Sequence, residues 1–131
     1  MIADIHVALE GLKLRKMREI VEAELKTAQS KKTSYSAFLL DLLGQEVEDK
    51  RRRSVEGRIR QAVLPDRWTL ETFPFHLQPC VSKKQHQEFA ELDFIAQAEN
   101  IVWMGGTGVG KTGLASSILL KALYAGRTGR V

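Results

Sequence analysis

The chain has 131 residues, 44% apolar and 27% charged, with 20 Lys and Arg against 16 Asp and Glu, a formal charge of +4. That is the balance of an ordinary globular chain of about one domain's length, basic enough to permit contact with nucleic acid without demanding it. Its single cysteine, Cys80, excludes an intrachain disulfide and a cysteine metal cluster, and no run approaches the roughly 18 apolar residues of a membrane helix. The opening "MIADIHVALEG" carries acids and lacks an apolar core, unlike a signal peptide, so the expected location is cytoplasmic.

Residues 3–30 place Ile5, Ala8, Leu9, Leu12, Met17, Ile20, Val21, Leu25 and Ala28 at helical spacing. Gly11 and the cluster from Lys13 to Lys16 predict a break, hence two short helices. A longer helix is predicted from Ser34, a suitable N-cap, through Phe38, Leu42, Val47, Val55, Ile59 and Val63. Its apolar stripe thins at "EDKRRRS". Lys50, Arg51, Arg52, Arg53, Arg58 and Arg60 put several cations on this helix, a pattern suited to DNA phosphates. The interleaved Glu48, Asp49 and Glu56 suit a solvated face equally well.

Pro65 ends the run, because proline neither continues a helix interior nor leaves its predecessor in helical geometry. The aromatic, proline-rich stretch "TLETFPFHLQPCVSKKQ" reads as an ordered connector. Trp68, Phe73 and Phe75 could stack on a base, but packing is the commoner role of such residues. A helix is predicted at about 84–98, then a buried strand "IVWM" at 101–104. A further helix, "KTGLASSILLKALYAG", is predicted to end at Gly126. His6, His76 and His86 show no metal-ligand spacing. Cys80 has no nearby base and reads as inert.

Between strand and helix lies "GGTGVGKT", Gly105, Gly106, Thr107, Gly108, Val109, Gly110, Lys111 and Thr112, a full match to G-x-x-x-x-G-K-[ST]. Glycines let a backbone wrap phosphate oxygens and turn N–H groups inward. The following helix offers its positive end. Lys111 supplies a cation for the β- and γ-phosphates of ATP, and the Thr112 hydroxyl a ligand for Mg²⁺.

"TLETFPF" followed by "FAELDFIAQAENIVWMGGTGVGKTGLA" resembles the IstB-type transposition helper ATPases, relatives of the DnaC helicase loader within the AAA+ class. The resemblance implies an α/β fold: an all-helical N-terminal domain over 1–64, followed over 65–131 by the start of a P-loop (AAA+) NTPase domain. It also implies ATP binding, non-specific DNA contact, assembly as an oligomer on DNA, and a transposase of the same insertion element as partner. Gly113 departs from the histidine often found there in the family. Glu71, Glu88, Glu91, Asp93 and Glu99 all precede the loop, so no residue is assigned a catalytic role. The expectation is a truncated chain equipped to bind nucleotide without hydrolysing it. Rival expectations are a non-catalytic DNA- or transposase-binding module, or the product of a decayed gene.

Overall fold

Helix ends in this chain are set by left-handed residues. A computed structural model describes all of residues 1–131 and contains six α-helices, one short 3-10 turn and no strand. Helix α1 (Ile2–Gly11) stops where Lys13 takes φ 58°, so that Leu14 N–H reaches back to Leu9 O at 2.9 Å. Helix α2 (Arg15–Lys31) stops the same way at Lys32, with Thr33 N–H donating to Ala28 O at 3.0 Å. These six-to-one bonds satisfy carbonyls that a helix end leaves free. Helix α3 (Tyr35–Ala62) starts as the sequence predicts, with Ser34 Oγ accepting from Ala37 N–H at 3.2 Å.

The chain forms two compact units, Met1–Ser54 and Val55–Val131. In the first, Leu9, Met17, Val21 and Leu42 are buried, with Phe38, Ile20 and Leu25 packed around them. Helix α2 has no capping side chain of its own at its start. The buried Glu46 carboxylate of α3 does that work, accepting from Met17 N–H at 2.8 Å and from Arg53 at 3.5 Å.

The second unit is built on helix α6 (Lys111–Tyr124), which is apolar on more than one side. Leu120 and Leu123 pack with Val55, Ile59 and Ala62 from the last turns of α3. Leu114 and Ile118 pack with Leu70 and Phe73, surrounded by Phe75, Phe89, Phe94 and Trp103. A helix buried on two sides is a core element rather than a surface one. Gly126, at φ 93°, ends it as predicted, and Arg127 N–H closes on Ala122 O at 2.9 Å. Arg58 Nε donates to Leu123 O at 2.9 Å, placing a cation on the negative end of α6.

Two expectations are corrected. The single helix predicted at 84–98 is instead α4 (Lys83–Phe89, capped by Ser82) and α5 (Asp93–Ala96), separated by a turn in which Leu92 has φ 69°. In an unbroken helix Phe89 and Phe94 would point about 140° apart, whereas the turn delivers Phe89, Leu92 and Phe94 to one cluster.

The larger correction concerns the fold class. The structure is all-helical, and the expected α/β architecture with a P-loop (AAA+) domain is absent. Residues 101–104, predicted as a buried strand, make no backbone–backbone hydrogen bond, and Val102 and Met104 are 76% and 89% exposed. A strand exists only when a ladder pairs its N–H and C=O groups. The side chains of "IVWM" satisfy the preference of a strand without supplying that partner. Trp103 alone is anchored, its indole N–H donating to His86 Nε2 at 2.9 Å. Buried His86 in turn donates from Nδ1 to Ser82 O at 2.8 Å. A ring with one donor and one acceptor nitrogen so engaged is the neutral tautomer.

Glu46→Ala removes the acceptor for Met17 N–H and is expected to destabilise the first unit by about 1–3 kcal/mol. Glu46→Gln, which keeps a carbonyl acceptor, is expected to lose less. Urea unfolding followed by circular dichroism checks this, and equal midpoints for the wild type and Glu46→Ala would remove the capping role.

Candidate functional site

The stretch Gly105–Gly110 joins the unpaired segment to α6. Gly108 and Gly110 take φ 80° and 94°, the left-handed region that side chains resist. Gly110 is doubly constrained, since a Cβ there would sit 2.8 Å from Phe73 Cε2 and 2.9 Å from its Cζ. The Phe73 ring is held in the apolar cluster beneath, so the loop lies directly on a packed aromatic edge.

None of the N–H groups of residues 105–110 enters a backbone–backbone hydrogen bond, and the first helical N–H that does is Leu114, to Gly110 O at 3.0 Å. Loop donors and the free N–H groups of the first turn of α6 therefore stand together at the positive end of a 14-residue helix. Lys111 Nζ folds back over the loop and donates to Gly105 O and Gly106 O, each at 2.6 Å. The hydroxyl of exposed Thr112 has no hydrogen-bond partner in the chain.

A cavity of about 540 Å³ opens over this surface, lined by Trp68, Phe73 and residues 107–113. Residues 107–112 of the motif are thus brought together on one concave surface, while Gly105 and Gly106 lie outside its lining. No carboxylate lines it: Glu71 is tied to Lys121 at 3.3 Å, and Glu88, Glu91, Asp93 and Glu99 stand elsewhere. Trp68 and Gly113, which the motif does not include, complete the wall. The indole lies against Gly113, with Trp68 Cδ2 at 3.4 Å from where a Cβ would lie, an ordinary van der Waals contact.

The six cations singled out on α3 divide by environment. Arg52 donates to Asp49 at 2.6 Å, and Arg53 to Asp49 at 2.8 Å and to Glu46. The hydrogen bond from Arg52, with the charge of Arg53 adding to it, holds the Asp49 carboxyl below the usual carboxylate range. Arg58 is committed to the end of α6. Lys50, Arg51 and Arg60 are exposed and make no ion pair.

Residues 7–130 match the family described as IstB-like ATP binding protein. The chain is similar to proteins named for ATP binding in three insertion sequences. The one from IS21 of Pseudomonas aeruginosa is 39% identical over 123 residues, 94% of this chain and 46% of that protein. The one from IS5376 of Geobacillus stearothermophilus is 39% identical over 122 residues, 93% and 49% of the two chains. An IS21-like relative from Bacteroides fragilis is 36% identical over 116 residues, 88% and 58%. The chain spans about half the length of these relatives. It belongs to the IstB-like ATP-binding family. No helix in it is long and apolar enough to cross a membrane.

Gly110→Ala forces a side chain into the left-handed region and against Phe73, and is expected to lower stability by about 1–3 kcal/mol. Gly113→Ala places its Cβ at ordinary van der Waals distance inside a helix, where alanine is favoured over glycine by about 1 kcal/mol. Thermal unfolding of the two variants is expected to move in opposite directions or, for Gly113→Ala, not at all. A Gly110→Ala midpoint equal to wild type would show the loop free of that constraint.

Proposed function

We propose that this chain binds ATP with Mg²⁺ through Gly105–Thr112 and serves as an insertion-sequence helper acting on DNA beside the element's transposase. The observation that carries the reading is the set of uncommitted N–H donors at the start of α6, with a cation and a free hydroxyl beside them. Phosphate oxygens are the ligands such a set suits. The membership in an ATP-binding family points the same way.

On binding, the loop N–H groups take phosphate oxygens, and Lys111 exchanges the carbonyls of Gly105 and Gly106 for the β- and γ-phosphates. Such charge-assisted bonds are roughly twice as strong as neutral ones. The Thr112 hydroxyl, free and at the rim, fits a ligand for Mg²⁺, which supplies neutralising charge to the phosphates. Without a carboxylate in the cavity, binding rather than hydrolysis is the property assigned to these residues. The DNA contact is assigned first to Lys50 and Arg51, exposed and unpaired on α3. Oligomeric assembly on DNA and work in the cytoplasm belong to the same reading.

Lys111→Ala is expected to weaken ATP binding at least tenfold, measured by titration with a fluorescent ATP analogue. Equal affinity in the two proteins would overturn the nucleotide reading.

For DNA, a double change of Lys50 and Arg51 to Ala is expected to weaken retention of duplex DNA. It should flatten the dependence of log affinity on log salt by about two, at roughly 0.9 for each phosphate no longer neutralised. Arg52→Ala should change the slope less, because Asp49 already neutralises that guanidinium. Identical slopes for the wild type and the double variant would leave this surface merely solvated.

A further inference from the structure

The aromatic residues around the loop differ in what they have left to offer. Phe73 is 7% exposed, and Phe75, Phe89 and Trp103 pack into the same cluster. Trp103 also commits its indole N–H to His86. Trp68 belongs to none of the apolar clusters, is 40% exposed, and has no hydrogen-bond partner for its indole N–H. An exposed tryptophan beside a cavity is an uncommitted aromatic surface.

Its placement is defined on one side. Three of its ring atoms, Cγ, Cδ2 and Cε3, lie 3.4–3.7 Å from the Cβ position of Gly113. Three near-equal distances mean that the indole lies with one face on the first turn of α6. The neighbouring residues hold the backbone there. Arg67 is bonded to Glu56 at 2.9 Å, and Thr69 and Thr72 are joined through their hydroxyls at 2.9 Å. Trp68 lines the same cavity as Phe73 and residues 107–113, and 40% of it stays exposed.

We propose that Trp68 is the specificity-determining residue of this site, its exposed indole stacking on the base of a bound nucleotide and favouring purines. The inference rests on the nucleotide reading of the loop and adds the base to it. Phosphates on the loop N–H groups and a ring on Trp68 would share one cavity. Every base can stack on an aromatic side chain, and a two-ring base offers an indole more overlapping surface than a one-ring base.

The test compares the Mg²⁺ complexes of ATP, CTP and inorganic tripolyphosphate by calorimetry, on the wild-type chain, Trp68→Leu, Trp68→Phe and Lys111→Ala. The expected result is that Trp68→Leu weakens ATP by about tenfold or more. Tripolyphosphate should be unchanged in that variant, ATP and CTP should converge, and Trp68→Phe should retain most of the preference. Unchanged ATP affinity in Trp68→Leu, with tripolyphosphate binding weakened in Lys111→Ala, overturns the role of Trp68 and leaves the phosphate reading standing. Equal losses of ATP and tripolyphosphate in Trp68→Leu would mean that the indole merely supports α6, which also overturns it. No binding of any of the three to the wild-type chain overturns both.

Discussion

The burial of α6 is the constraint on which the second unit depends. Leu114 and Ile118 face one apolar cluster, and Leu120 and Leu123 the other. A helix gripped on two sides has little freedom to turn or slide. Its direction decides where its N-terminus points, and so where Gly105–Gly110 present their N–H groups. Buried Ser117 donates to Gly113 O at 2.7 Å, so even the polar side chain in this grip is satisfied. Arg58 holds the opposite end by its carbonyl. The loop is consequently a fixed feature of the packing, and Phe73 beneath Gly110 links it to the same core.

Few polar side chains are taken out of water. Glu46 begins α2, His86 ties Ser82 to Trp103, and no buried side-chain nitrogen or oxygen is left without a partner. An unpaired group in such places costs about as much as burying a sizeable apolar side chain gains. His86 matters most for the loop, because Trp103 is the one anchored residue of the segment entering it. Through that bond the approach to Gly105 is tied to the start of α4, although no sheet forms.

The charge pattern of α3 is resolved by its neighbours rather than by its count of arginines. Two of the guanidiniums share the Asp49 carboxylate and one caps α6, so their fields are already met locally. Lys50, Arg51 and Arg60, by contrast, stay exposed and unpaired. Residues with the same formal charge thus carry different capacity for binding, because a paired arginine must lose one partner to gain another.

Local chemistry was legible in the sequence wherever a residue's own conformation decides the outcome. Ser34 begins α3, Gly126 ends α6, and Gly105, Gly110, Lys111 and Thr112 mark a loop at a helix start, with glycine at 110 required both by its φ and by Phe73. The six-residue spacing from Gly105 to Lys111 that brings Nζ to its carbonyl is likewise a local matter. Tertiary structure decided what needs a distant partner. "IVWM" has the composition of a strand but no ladder, Phe94 leaves the helix of Phe89 to join a shared core, and Arg58 finds Leu123 far along the chain. Trp68 is the clearest case. Sequence alone allows it to pack or to stack, and only the structure sets it against the first turn of α6, in the cavity lining and 40% exposed. Backbone preference is a property of a residue and its immediate neighbours, whereas pairing and exposure belong to whatever the fold brings alongside.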